Sequence, residues 1–206
     1  MEIARRAIAT YSDAGDLVID LTGWPGLPAL HEAIRQARTA VGLTSARMQA
    51  ERRANALVLH GDPRELPQLL AAQAADLLRQ QRSLPTSVAA HPAGCADLIL
   101  TTATTTQLAG CATVLRPGGY LAVATSSTHG AGRDPGAETV ARCAQLGLRY
   151  WQHVICLLVP IDNGALRSVQ APDRTAEATV VHRDLHVFRK PPTTDARRSM
   201  QAQCAA

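Results

Sequence analysis

Apolar runs alternate with stretches of helical periodicity along most of this chain, and no other feature limits its fold as much. Strands that return through helices must pair parallel, because the crossover brings the chain back to the same end of the sheet. The first run is Leu17-Val18-Ile19-Asp20-Leu21, followed by a Gly/Pro-rich turn. Pro28 to Gln36 reads as a helix, Thr39 to Leu43 as the second strand and Ser45 to Asn55 as a second helix. Ala56 to Leu59 is the third strand and ends in His60-Gly61-Asp62. Leu66 to Gln81 carries the clearest helical pattern, with Leu69, Leu70, Ala74, Leu77 and Leu78 at helical spacing. Arg82 to Gly94, with Pro85 and Pro92, reads as a loop.

The fourth strand, Asp97 to Leu100, runs into a threonine-rich stretch from Thr101 to Thr106. A helix over Leu108 to Leu115 is stopped by Pro117-Gly118-Gly119, and Tyr120 to Ala124 is the fifth strand. A loop from Thr125 to Gly136 leads to a helix through Leu146. Two β-type segments close the pattern, Leu148 to Leu158 and Val180 to Phe188, separated by a polar loop with Pro160, Asn163-Gly164 and Pro172. This order predicts an α/β fold: a doubly wound, mostly parallel seven-stranded sheet with an antiparallel edge strand. One domain spans 1–190, and the polar residues 191–206 read as a disordered tail.

Composition removes several function classes. No run of about 18 apolar residues is present, and Met1-Glu2-Ile3-Ala4-Arg5-Arg6 lacks the apolar segment of a secretory signal, so the expectation is a cytoplasmic chain with no membrane contact. Cys95, Cys111, Cys143, Cys156 and Cys204 are scattered with no C-x-x-C pair, which reads as buried thiols rather than disulfides or a zinc site. The basic excess, 21 against 17, is spread out and almost all arginine, since Lys190 is the only lysine. A clustered phosphate-binding face is therefore not evident. Aromatic residues make up 3%, few rings for a base-stacking platform.

In an open parallel sheet the ligand sits beyond the carboxyl ends of the strands, so the residues there carry the information. Asp20-Leu21-Thr22-Gly23-Trp24-Pro25-Gly26 follows the first strand; Gly23 and Gly26 could let the backbone approach a ligand, or form an ordinary turn. Thr44 follows the second strand, where an acid normally reads ribose hydroxyls. Asp62 follows the third, placed either to accept from an adenine amino group or to cap the next helix. The seven histidines form no metal-binding spacing; His182 and His186 share one strand face, which reads as solvated. No G-x-S-x-G or phosphate-binding loop is present.

Taken with Leu115-Arg116-Pro117-Gly118-Gly119-Tyr120-Leu121, these positions resemble class I S-adenosylmethionine-dependent methyltransferases. Within that class the chain looks like the DNA methylases that act on adenine N6 or cytosine N4, and their RNA guanine-methylating relatives. Tyr11 to Asp20 looks like the family's lead into its first strand, Ala40-Val41-Gly42-Leu43 like the second strand, and His60 to Leu66 like the third-strand motif. Leu146 to Gln152 and His186 to Pro191 look like its closing strands. The resemblance implies a Rossmann-like methyltransferase fold. It also implies S-adenosylmethionine at Asp20, Gly23, Gly26, Thr44 and Asp62.

Departures from the pattern shape the expected function. Trp24 stands in the place of the first glycine of D-P-F-x-G-x-G, and Thr44 replaces the ribose-binding acid, a loss on the order of a hundredfold in affinity. Where the family carries S/N/D-P-P-Y/F, this chain has Thr102-Ala103-Thr104-Thr105: Thr102 keeps a hydroxyl in the first place, but both prolines and the ring are gone. The expectation is a methyltransferase-like binding or regulatory protein with impaired catalysis. The alternatives are an active nucleic-acid methyltransferase of divergent chemistry using Thr102, and a relative that has exchanged cofactor for a protein partner. In the last case it would dimerise, for instance, through Leu148 to Leu158 and the final strand.

Overall fold

A helix precedes the first strand. In α1 (Glu2–Tyr11), Ala4, Ala7, Ile8 and Tyr11 recur at helical spacing and are buried, while Arg5, Arg6, Ala9 and Thr10 on the other side are exposed. The structure is a computed structural model and describes residues 2–22, 28–44, 52–53, 56–60, 65, 67–69, 94–102, 107–125, 134–157, 161–162, 165–166 and 182–192. Gly23, Trp24, Gly26, Asp62 and the tail beyond residue 192 lie outside the described residues, as does most of the expected Leu66 to Gln81 helix.

The strands are β1 (Leu17–Leu21), β2 (Thr39–Thr44), β3 (Arg52–Arg53), β4 (Ala56–His60), β5 (Ala96–Thr102), β6 (Leu115–Thr125) and β7 (Arg149–Leu157). After them come β8 (Ile161–Asp162), β9 (Ala165–Leu166) and β10 (His182–Arg189). One eight-stranded sheet has the order β3-β4-β2-β1-β5-β6-β10-β7. β8 and β9 pair separately, on either side of the sequence Asn163-Gly164, a hairpin signal inside what reads as a loop.

Four expectations need correction. The seven expected segments all enter the sheet, and Arg52–Arg53 adds an eighth strand, antiparallel to β4, in place of the end of the expected Ser45 to Asn55 helix. The antiparallel strand β10 is not at the edge: it pairs with β6 on one side and β7 on the other, so β7 is the edge strand at that end of the sheet, as the two-residue β3 is at the other. Thr101 and Thr102 belong to β5 rather than to a loop. Finally, Pro117-Gly118-Gly119 does not interrupt the chain after the helix α3 (Leu108–Val114) but lies within β6.

The physical reason for the last is a bulge. Ala96 pairs with Leu115 and Leu98 with Tyr120, so four residues of β6 stand opposite one of β5, and Pro117 occupies a position that owes no ladder hydrogen bond. Gly118 takes a φ of +87° there, and a side chain on Gly119 would meet the Asp97 carbonyl oxygen at 2.9 Å. Asp97 in turn accepts from Leu17 N at 2.7 Å and pairs with Arg116, which ties the bulge to the start of β1. Lys190 Nζ donates to the carbonyls of Ala112 and Leu115, both at 2.7 Å, so the single lysine caps the end of α3.

Helices cover both faces. On one, Leu17, Ile19, Ile99, Leu121 and Phe188 pack with Leu108, Cys111 and Val114 of α3 and Cys143 of α4 (Pro135–Gln145). On the other, Val18, Leu98, Leu100, Leu185 and Val187 pack with α1 and with Ala29 and Ala33 of α2 (Pro28–Arg35). Burial pushes the thiol of Cys95 up to about 11 and those of Cys111 and Cys143 up to about 12, so all three are unreactive core groups. Cys156 is only half-buried, unlike the expectation. Among the described residues no helix is long and apolar enough to cross a membrane.

Candidate functional site at the strand ends

The strand order reverses between β1 and β5: from β1 the chain winds outward through β2 and β4, then returns to add β5 and β6 on the other side. In α/β sheets the ligand is held in a crevice at such a switch point, beyond the carboxyl ends of the strands, here those of β1 and β5. Asp20 lies in β1 with Gly42 and Leu100 as its cross-strand neighbours, so one of them brings no side chain beside it. It is fully buried. Its Oδ1 accepts from Thr22 N at 3.0 Å and from Thr22 Oγ1 at 2.7 Å, and this pair fixes the first residue of the loop after β1.

Across the crevice, Leu21 pairs with Thr101. The Thr101 hydroxyl donates to the Thr102 carbonyl at 3.2 Å, and the Thr102 hydroxyl donates to the Thr22 carbonyl at 3.4 Å. Both hydroxyls of the expected catalytic strand end are thus turned onto backbone oxygens, and Thr102 lashes β5 to the exit of β1. Thr44 and His60 are paired at the ends of β2 and β4, the side of the crevice where the ribose-binding acid would stand. The structure therefore brings Asp20, Thr22 and Thr102 together at one end of the sheet and places Thr44 at the same end, two strands from Thr102. Thr22 was not singled out in the sequence, and the signal for it, a hydroxyl two residues after a strand-end Asp, is weak.

For S-adenosylmethionine the strand ends fit in position, while the described hydroxyls of Thr101 and Thr102 already donate to backbone oxygens. The donor set has no carboxylate at the end of β2, where Thr44 stands.

A second polar cluster lies on β7 and β10. His153 Nε2 is 2.9 Å from Asp184 Oδ1, His182 Nε2 is 3.9 Å from Asp184 Oδ2, and the His153 and His186 rings stack at 4.7 Å. The expected shared face of His182 and His186 is real, but His186 is buried rather than solvated. Its Nδ1 has no hydrogen-bond partner among the described residues, and a side chain on Gly136 of α4 would meet its Nε2 at 2.8 Å. Among the described residues no group of acids, thiols and imidazoles is arranged to hold a metal ion.

Burial, and secondarily His153, hold the His186 pKa below 6.5, while Asp184 on its own strand and Asp134 at the start of α4 pull it up. Tyr150 of β7 faces it as well. A folded value below the unfolded one means that the native state binds fewer protons. The stability from neutral His186 is then present above about 6.5 and is lost as pH falls toward the folded value. Thermal melts should show a steeper fall in Tm from pH 6.5 to 5 for the unmodified chain than for His186→Gln. Parallel slopes would mean that this imidazole does not titrate on unfolding.

No protein-family model and no curated protein matches this chain. Solved structures do. One is a chain of the complex between the Haloferax volcanii Trm112 methyltransferase activator and its methyltransferase, with a TM-score of 0.62 at 17% identity over 91% of this chain and 88% of that one. Another is the Burkholderia thailandensis 1,6-didemethyltoxoflavin-N1-methyltransferase with S-adenosylhomocysteine bound, TM-score 0.59 at 12% identity over 92% and 77%. The fold is the class I methyltransferase fold. The [4+2]-cyclase SpnF matches equally well, TM-score 0.59 at 15% identity over 93% and 81%, so the fold by itself does not name a reaction.

Proposed function

We propose that this chain binds S-adenosylmethionine or a close analogue at the strand ends and acts as a methyltransferase-like binding or regulatory protein with impaired catalysis. The observation that carries this reading is the bond from the Thr102 hydroxyl to the Thr22 carbonyl. The family's strand-end motif works by accepting hydrogen bonds from a target amino group with rigidly held oxygens. Here the Thr102 hydroxyl is oriented by the protein's own backbone and no proline follows it to hold the turn, and displacement of an acceptor by about 1 Å can cost roughly a hundredfold in rate.

When bound, the cofactor supplies an electrophilic methyl group on its sulfonium. The residues of this chain would orient it: Asp20 holds the exit of β1 through Thr22, Thr44 ends β2 on the ribose side, and Gly23, Gly26 and Asp62 are assigned to the cofactor from their places in the sequence. The likeness to a structure solved with the Trm112 activator supports a protein partner for a regulatory role.

Calorimetric titration with S-adenosylmethionine and S-adenosylhomocysteine should give binding in the micromolar range. Methyl transfer from labelled cofactor to DNA, RNA or small aromatic acceptors should stay at background. Turnover on a nucleic acid would instead establish the active-methyltransferase reading, and no heat at millimolar ligand would remove the cofactor from the account.

A further inference from the structure

Four large hydrophobic side chains are exposed among the described residues, and all four lie on β7: Tyr150 at 46%, Trp151 at 52%, Ile155 at 60% and Leu157 at 44%. β7 is also the outermost strand at its end of the sheet, bonded among the described residues to β10 on one side only. An open edge presents a row of unpaired backbone donors and acceptors, and native proteins usually guard it with lysine, proline or inward charge. From Tyr150 to Leu157 the strand has none of these: Tyr, Trp, Gln, His, Val, Ile, Cys and Leu carry no formal charge. Such a segment is left open only at the risk of indiscriminate pairing, so its specific cover is part of how the protein works.

We propose that a second copy of this chain covers it, the two β7 strands pairing antiparallel about a two-fold axis at Ile155. The register follows from the strand. Val187 pairs with Gln152 and Phe188 with Tyr150, so β7 is bulged at Trp151 and its regular part runs from His153 to Leu157. Ile155 is the midpoint of that part and the most exposed of the four side chains. A two-fold there sets Ile155 against its own copy, His153 against Leu157 on the same face, and Val154 against Cys156 on the other.

Charge selects the occupant. A uniformly acidic or basic peptide gains nothing from eight uncharged positions, whereas the strand matches itself, apolar to apolar at the axis, with no acidic, lysine or arginine side chain on the paired stretch of either copy. Trp151, with the Arg189 guanidinium 5.4 Å over its ring and Tyr120 packed at its edge, borders the strand with the residue types that dominate interface energetics. The continuous sheet that results has a closed symmetry and covers the regular part of β7, His153 to Leu157, on each copy.

Sedimentation velocity on the full chain between about 1 and 100 µM should show a dimer. Ile155→Arg should raise its dissociation constant by at least about a hundredfold, since it buries two like charges at the axis. Far-UV circular dichroism and Tm at low concentration, where both chains are monomeric, should not change. Ile155→Cys should cross-link to itself under mild oxidation, in the dimer fraction and faster than Trp151→Cys. A monomer at 100 µM, which would leave β7 to a foreign protein, overturns the proposal. So does a dimer indifferent to Ile155→Arg, which would place the contact elsewhere.

Discussion

Phe188→Ala should remove about 3 to 5 kcal/mol of folding stability, the range for a fully buried aromatic ring replaced by a methyl group. Phe188 is the only phenylalanine of the chain and is wholly buried. It sits on β10 opposite Leu121 of β6 and Tyr150 of β7, and meets the Tyr150 ring edge-on at 5.5 Å. Its position magnifies the loss, because β7 reaches the sheet only through β10. Domains of this size are commonly stable by about 5 to 15 kcal/mol, so the variant would lose a large share of the total. At roughly 2 to 4 °C per kcal/mol the melting temperature should fall by about 6 to 20 °C. Urea unfolding of the two chains measures this directly. A loss below about 1 kcal/mol would mean that β10 is not the interior strand described here.

That interior place of β10 shows where the sequence stops being informative. The apolar runs of β1, β2 and β4 are plain to read, because strands packed in a parallel sheet are continuous hydrophobic segments. Which neighbours a strand takes is a property of the whole sheet. A closing pair of strands reads naturally as an edge hairpin, yet β10 inserts between β6 and β7 with a bulge at Trp151. Local signals also misled where tertiary bonds overrule them. Pro117-Gly118-Gly119 has the chemistry of a helix stop, but Asp97, Arg116 and Lys190 hold it as a bulge within β6. α1 was not anticipated, although Ala4, Ala7, Ile8 and Tyr11 stand at helical spacing, because the expectation began from the strands.

The site was legible in outline only. Asp20 and Thr102 could be placed at strand ends from the sequence, since strand ends follow from the apolar runs. The direction of the Thr102 hydroxyl could not, because its acceptor is Thr22 O, eighty residues away and brought near by the pairing of Leu21 with Thr101. A motif position carries a residue type, and the role of that type depends on the atoms the fold sets against it.

The same dependence gives the second large effect, at Asp20. Asp20→Ala leaves the Thr22 amide and hydroxyl buried without their acceptor, at a cost of about 1 to 3 kcal/mol for each. A loss of about 2 to 4 kcal/mol is expected, less in a Thr22→Val background, where one of the two donors is already gone. Asp20→Asn separates charge from geometry, for its amide oxygen can accept both bonds while the carboxylate charge is lost. If Asp20 acts on a ligand through the loop it fixes, Asp20→Asn keeps affinity for S-adenosylmethionine and Asp20→Ala loses it by on the order of a hundredfold. That split is the expected result, since the carboxylate is fully buried and turned onto Thr22. Equal loss in both variants would make the charge itself a ligand contact. The unfolding measurement reads the two Thr22 bonds with no ligand present, so a stability loss seen without any binding would leave Asp20 as a strand-end anchor in a fold that no longer takes the cofactor.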